Sequence, residues 1–169
     1  LAAHVADLRA AMLRLGTRDA VGVAVGVAGS GQTVPLRPLA DTECEELSRA
    51  LDTNLLGPFR MTRTLLGALA SSAREGRPAV VVNISSDAAV NAYPTWGAYG
   101  ASKAALLHLS RVWDEELRPT GVRVVSFDPG DLDTELYAAA VPDADRSALR
   151  APADAARELA SIIALLLAG

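Results

Sequence analysis

Ala79-Val80-Val81-Val82-Asn83-Ile84-Ser85-Ser86 is the stretch that decides the fold. Ala79 to Ile84 is apolar but for Asn83, and most of it is β-branched valine or isoleucine. It lacks the in-and-out alternation of a strand with one wet face, so it reads as a strand buried on both faces. Two hydroxyls end it and open a loop, Ser85 to Trp96. A long helix from Gly97 to Leu117 follows and stops before Pro119. Val122 to Phe127 is another strand, and Asp128 to Gly130 a turn.

Upstream, Val21 to Ala28 alternates valine with glycine and alanine. It reads as a further buried strand whose glycines allow close backbone approach. Gly29 to Leu39 is a Gly/Pro loop. Asp41 or Thr42 can cap a long helix from Glu43 to Ser72, which Pro58 must kink or break. Val5, Leu8, Met12 and Leu15 recur at helical spacing before Gly16, so the chain, beginning at Leu1, reads as the interior of something longer. Beyond the turn at Gly130 come a short helix, Thr134 to Ala140, a Pro/Asp loop, and a last helix from Ala153 to Leu167. Helices alternating with apolar strands predict an α/β fold: a three-layer, doubly wound parallel sheet with right-handed crossovers. Ligands in such sheets bind at the carboxyl ends of the strands. Gly29, Ser85-Ser86 and Pro129-Gly130 all fall at that edge.

Composition sets bounds. The 169 residues make one domain, residues 1–169, with a real core. Aromatics are 4% of the chain, so Ala, Val and Leu must fill that core. A net charge of -4 with no basic run excludes a nucleic-acid partner. The apolar stretch Ser161–Gly169 is far too short to span a bilayer, so no membrane association is expected and the protein reads as cytoplasmic. Cys44 has no Cys or His at ligand spacing, which leaves no metal site; it reads as a buried or partly buried thiol.

The chemistry gathers around Lys103, the one lysine among sixteen Lys and Arg residues. Tyr99 lies four residues before it, so a helix puts phenol and ammonium on one face. A tyrosine is a poor base at neutral pH, and a nearby ammonium favours its phenolate. Ser86 can donate to an oxygen on which charge develops. Plainer readings stand beside these. Ser85 and Ser86 could cap a turn, Asn54 could bond locally within its helix, and Asp87, Tyr93 and Trp96 could be loop packing rather than pocket wall. His108 reads as structural. Gly26, Gly29 and Gly31 suggest a phosphate loop, but Pro35 and Pro38 follow where a helix must open, which rejects it.

Five motifs now stand in order: Val27-Ala28-Gly29, Asn54-Leu55-Leu56-Gly57, Val82 to Ser86, Tyr99 to Lys103, and Pro129-Gly130 with Thr134. Together they resemble the short-chain dehydrogenase/reductase family. The resemblance implies a Rossmann-like sheet carrying strands 4-5-6 of the family order. It implies an NAD(P)-dependent oxidoreductase interconverting an alcohol and a ketone or aldehyde, with NADP or NAD as cofactor. Asn54, Ser86, Tyr99 and Lys103 would be catalytic, Tyr99 as general acid/base and Asn54 ordering a water. Ala28, Gly29, Tyr99, Lys103, Pro129, Gly130 and Thr134 would bind cofactor, and Asp87, Tyr93 and Trp96 would line a pocket for a moderately apolar substrate. The loop Asp87–Trp96 and the segment Tyr137–Arg150 would shape that pocket. A homodimer or homotetramer would form through the two long helices.

The departures matter equally. Gly26 and Val27 stand where the family has two asparagines. The family's Thr-Gly-x-x-x-Gly-x-Gly segment is not in these 169 residues. Both sheet edges would then be bare, an aggregation hazard that further residues or another chain must relieve. A catalytically inactive binding or scaffold protein built on the fold is the alternative, and cofactor binding separates the two.

Overall fold

The computed structural model describes residues 22–26 and 36–168. The helix expected before Gly16, Ala28, Gly29 and the expected glycine loop through Pro35 lie outside the described residues. Three parallel strands, β1 (Gly22–Gly26), β2 (Ala79–Ile84) and β3 (Val122–Phe127), lie in the order β1-β2-β3. Gly22 pairs with Ala79, and Ala79 with Val122. The expected Rossmann-like arrangement is what the chain adopts.

Helices cover both faces. α1 (Cys44–Leu51) and α2 (Gly57–Arg74) precede β2, α3 (Gly97–Leu117) connects β2 to β3, and α4 (Glu135–Ala140) and α5 (Pro152–Ala168) follow. The period of two along a strand sends alternate side chains to opposite faces. Ala79 and Val81 join Val122 and Val124 beneath Leu65 and Leu69 of α2 and Leu117 of α3. Val80, Val82 and Phe127 face the other way, against Leu159, Ile162, Ile163 and Leu166 of α5. That last set is spaced i, i+3, i+4, i+7, the apolar stripe of a helix with one dry side.

The helix expected from Glu43 to Ser72 is broken. A π turn, Asp52–Leu56, separates α1 from α2, and the Gly57 N–H reaches back to the Asp52 carbonyl. Pro58 sits in the first turn of α2, where its missing N–H costs nothing. Neither Asp41 nor Thr42 caps α1. Asp41 closes a 3-10 turn, Leu39–Asp41, and the Thr42 hydroxyl donates to the Pro38 carbonyl at 3.1 Å. Glu43 is the cap, exchanging bonds with Glu46 in a capping box. Cys44, at the first position of α1, is exposed rather than buried.

Two short devices set the strand ends. Gly121 turns into β3 at φ 81, and a Cβ there would meet the Ala73 Cβ at 3.0 Å, so both backbone and space require glycine. Asp114 of α3 accepts the Val124 N–H at 2.8 Å and the Arg123 Nε–H at 2.8 Å. It thereby occupies part of the β3 edge that was expected to be bare. No helix of the described residues is long and apolar enough to cross a membrane.

Candidate active site

Tyr99 and Lys103 lie one turn apart on α3 and share a cavity of about 430 Å³ at the carboxyl ends of β2 and β3. Lys103 is only 3% exposed, yet its ammonium stays on the cavity wall. It donates to the Ile84 carbonyl at 2.9 Å and stands 5.6 Å from the Tyr99 ring centroid. A buried ammonium needs such an acceptor, and the end of β2 supplies it.

Ser86 performs the local task that its plainer reading assigns. Its oxygen caps the 3-10 turn Asp87–Ala89, accepting the Ala88 N–H at 3.2 Å, and its hydroxyl donates to Asp87 at 3.2 Å. Ser86 also lines the cavity, together with Tyr99. Asp87, Tyr93 and Trp96 also line the cavity, with Trp96 edge-on to Tyr99 at 5.6 Å between centroids. Thr95, between them, holds φ 72, a costly left-handed backbone for a β-branched residue. Strain of this kind collects beside functional sites.

From β3 come Pro129, Gly130 and Thr134. Gly130 adopts φ 72 while its N–H donates to Asp128 at 2.9 Å. Thr134 caps α4, its hydroxyl oxygen accepting the Tyr137 N–H at 3.2 Å. Of the segment expected to shape the pocket, Tyr137 and Val141 line it, whereas Asp143 to Arg150 do not. His108 is exposed and takes no part.

Asn54 is not brought to the cavity. It is fully buried in the π turn, and its amide donates to the Ser102 hydroxyl at 3.0 Å. Ser102 in turn donates to the Tyr99 carbonyl at 2.7 Å. Asn54 thus grips the backbone that carries Tyr99. Sequence reading missed Ser102, although a small polar residue on the buried stripe of a helix is a usable signal. It also missed Asp128 and Asp131, which line the cavity from the turn after β3.

The electrostatics correct one expectation. Tyr99 is not drawn toward phenolate. Burial pushes its pKa up, and Asp128, Asp87 and Asp131 add to the rise, against the lowering by Ser86. Lys103 is itself depressed to about 8 by burial, with Asp128 opposing. The ammonium sits over the ring with one of its three donors on the Ile84 carbonyl, while Asp87, Asp128 and Asp131 line the same cavity as the phenol. Among the described residues no cluster of His, Cys, Asp or Glu could hold a metal ion.

This arrangement has relatives. The sequence profile described as short chain dehydrogenase matches residues 3–145. The chain belongs to the short-chain dehydrogenase family. It is 35% identical over 114 residues to the benzil reductase ((S)-benzoin forming) of Bacillus subtilis, covering 64% of this chain and 44% of that protein. This short-chain dehydrogenase also superposes on solved structures. A 3-ketoacyl-(acyl-carrier-protein) reductase from Brucella melitensis complexed with NADH matches at 26% identity and TM-score 0.69, over 81% of this chain and 55% of that one. A short chain dehydrogenase from Pseudomonas syringae matches at 29% identity and TM-score 0.76, over 91% and 60% respectively. The short-chain dehydrogenase sequence here spans about half the length of the curated relatives it matches.

Proposed function

We propose that this chain carries the carbonyl-handling part of an NAD(P)-dependent oxidoreductase that interconverts an alcohol and a ketone or aldehyde. The observation that carries the reading is the shared cavity wall of Ser86, Tyr99 and Lys103. Tyr99, with its proton held more tightly than usual, gives that proton to a substrate oxygen in the reducing direction and takes it back in the other. Ser86 donates to the same oxygen and offsets its growing charge. Asn54, through Ser102, keeps the Tyr99 backbone in register.

The residues present suit a nicotinamide nucleotide. A buried ammonium next to a phenol is a paired donor set for a ribose diol, and Lys103 with Tyr99 would hold it. Pro129, Gly130 and Thr134 would flank the nicotinamide. The bound nicotinamide supplies or accepts the hydride. Either NAD or NADP suits the described residues. The B. melitensis relative, crystallised with NADH, supports this choice of cofactor.

The test is a fluorescence titration with NADPH and NADH. Saturable binding, weakened about tenfold or more by Lys103→Ala, is the expected result. Well-folded protein that binds neither nucleotide would instead favour a catalytically inactive relative.

A further inference from the structure

The cavity that Tyr99 opens onto is acidic. Asp87 from the loop after β2, and Asp128 and Asp131 from the turn after β3, line it, and Lys103 is the one cation on its wall among the described residues. Asp128 is engaged by the Gly130 N–H. Asp87 accepts from the Tyr93 hydroxyl at 2.5 Å and from Ser86 at 3.2 Å. Among the described residues none of the three carboxylates is in an ion pair.

Asp87 and Asp131 act on one volume, although they come from different loops. The Tyr93 phenol is raised first by its bond to Asp87, and those of Tyr99 and Tyr137 first by burial. In all three, both Asp87 and Asp131 add to the rise. Both carboxylates, the three phenols and the Trp96 ring line the same cavity. Aromatic faces around a negative centre attract organic cations.

We propose that the substrate carries a positive charge, an alkylammonium or quaternary ammonium group, seated between Asp87 and Asp131 among Tyr93, Trp96 and Tyr137 while its carbonyl or hydroxyl meets Tyr99. This rests on the oxidoreductase reading above and names its substrate class. It replaces the moderately apolar substrate expected from the Ala, Val, Pro and Tyr content of the flanking segments. Anionic substrates are disfavoured by the same field.

The test uses three acetophenones of nearly equal shape, para-substituted with trimethylammonium, tert-butyl or sulfonate, and reduced by the holoenzyme. The expected order of kcat/KM is cation, neutral, anion. The cation should lead the neutral ketone by about fivefold or more, the worth of one solvent-reached ion pair. Asp131→Asn should draw that ratio toward one. Tryptophan fluorescence should report saturable binding of the cation, weakened by salt. A cation-to-neutral ratio of one or less in the wild type would overturn the proposal, as would a ratio untouched by both Asp131→Asn and Asp87→Asn. Equal turnover of all three ketones overturns it while leaving the oxidoreductase reading standing. Saturable cation binding without turnover of any ketone does the reverse.

Discussion

Lys103 shows how burial and charge trade at one residue. Taking its ammonium out of water lowers its pKa from 10.5 to about 8. Between those values the unfolded chain binds more protons here than the folded one, so folding stability rises with pH across that window. Below about pH 8 both states are charged and the cost of burial is felt in full. Denaturant unfolding of wild type against Lys103→Met should show this. The stability of the wild type relative to the variant should climb by about 2 kcal/mol between pH 8 and 10. A flat difference would mean that the ammonium is not desolvated. Residue identity alone announced the Tyr99–Lys103 pair, because four positions on a helix make one face. It could not announce the direction of the Tyr99 shift. That depended on Asp87, Asp128 and Asp131, which only the fold brings together.

At the scale of elements, Asp114 ties α3 to the outer edge of β3. The Arg123 guanidinium, the Val124 N–H and Arg118 hold its carboxyl far below the ordinary value of 3.8. Its contribution is present above that value and is lost as pH falls below it. Asp114→Ala should destabilise the fold by about 2 kcal/mol, read from the denaturant midpoint at neutral pH, and the deficit should shrink toward pH 3. A variant as stable as wild type would remove Asp114 as the edge device. The elements themselves were largely legible. Ala79–Ile84, Gly97–Leu117 and Val122–Phe127 have the bounds that apolar runs and Pro119 indicate. Pro58 announced the break before α2, but nothing local announced that a π turn would fill it. The α1 cap was misread because Asp41 and Thr42 are stronger capping types than Glu43. The reciprocal Glu43–Glu46 pair and the 3-10 turn before it won instead. Ala28 and Gly29, read as cofactor contacts, lie outside the described residues.

Across the described residues, three parallel strands bring two loops together at one edge, and the predicted site residues described there line one cavity, apart from Asn54. Asn54 acts from the layer behind. Assembly belongs to this scale too. α2 and α3 cover one face of the sheet, and Val112 of α3 is 39% exposed, an apolar residue facing outward. Pairing of subunits through these two helices predicts a dimer or tetramer mass in light scattering at micromolar concentration. A monomer alone would contradict it. The chemistry is tested most directly by following oxidation of reduced nicotinamide against a ketone in wild type and in Tyr99→Phe, with nucleotide binding measured in both. The prediction is a loss of kcat of at least about a hundredfold, the lower range for a lost general acid, with nucleotide affinity within a few-fold of wild type. Ketone-dependent turnover surviving in Tyr99→Phe at the wild-type rate would contradict the assignment of the proton to this phenol.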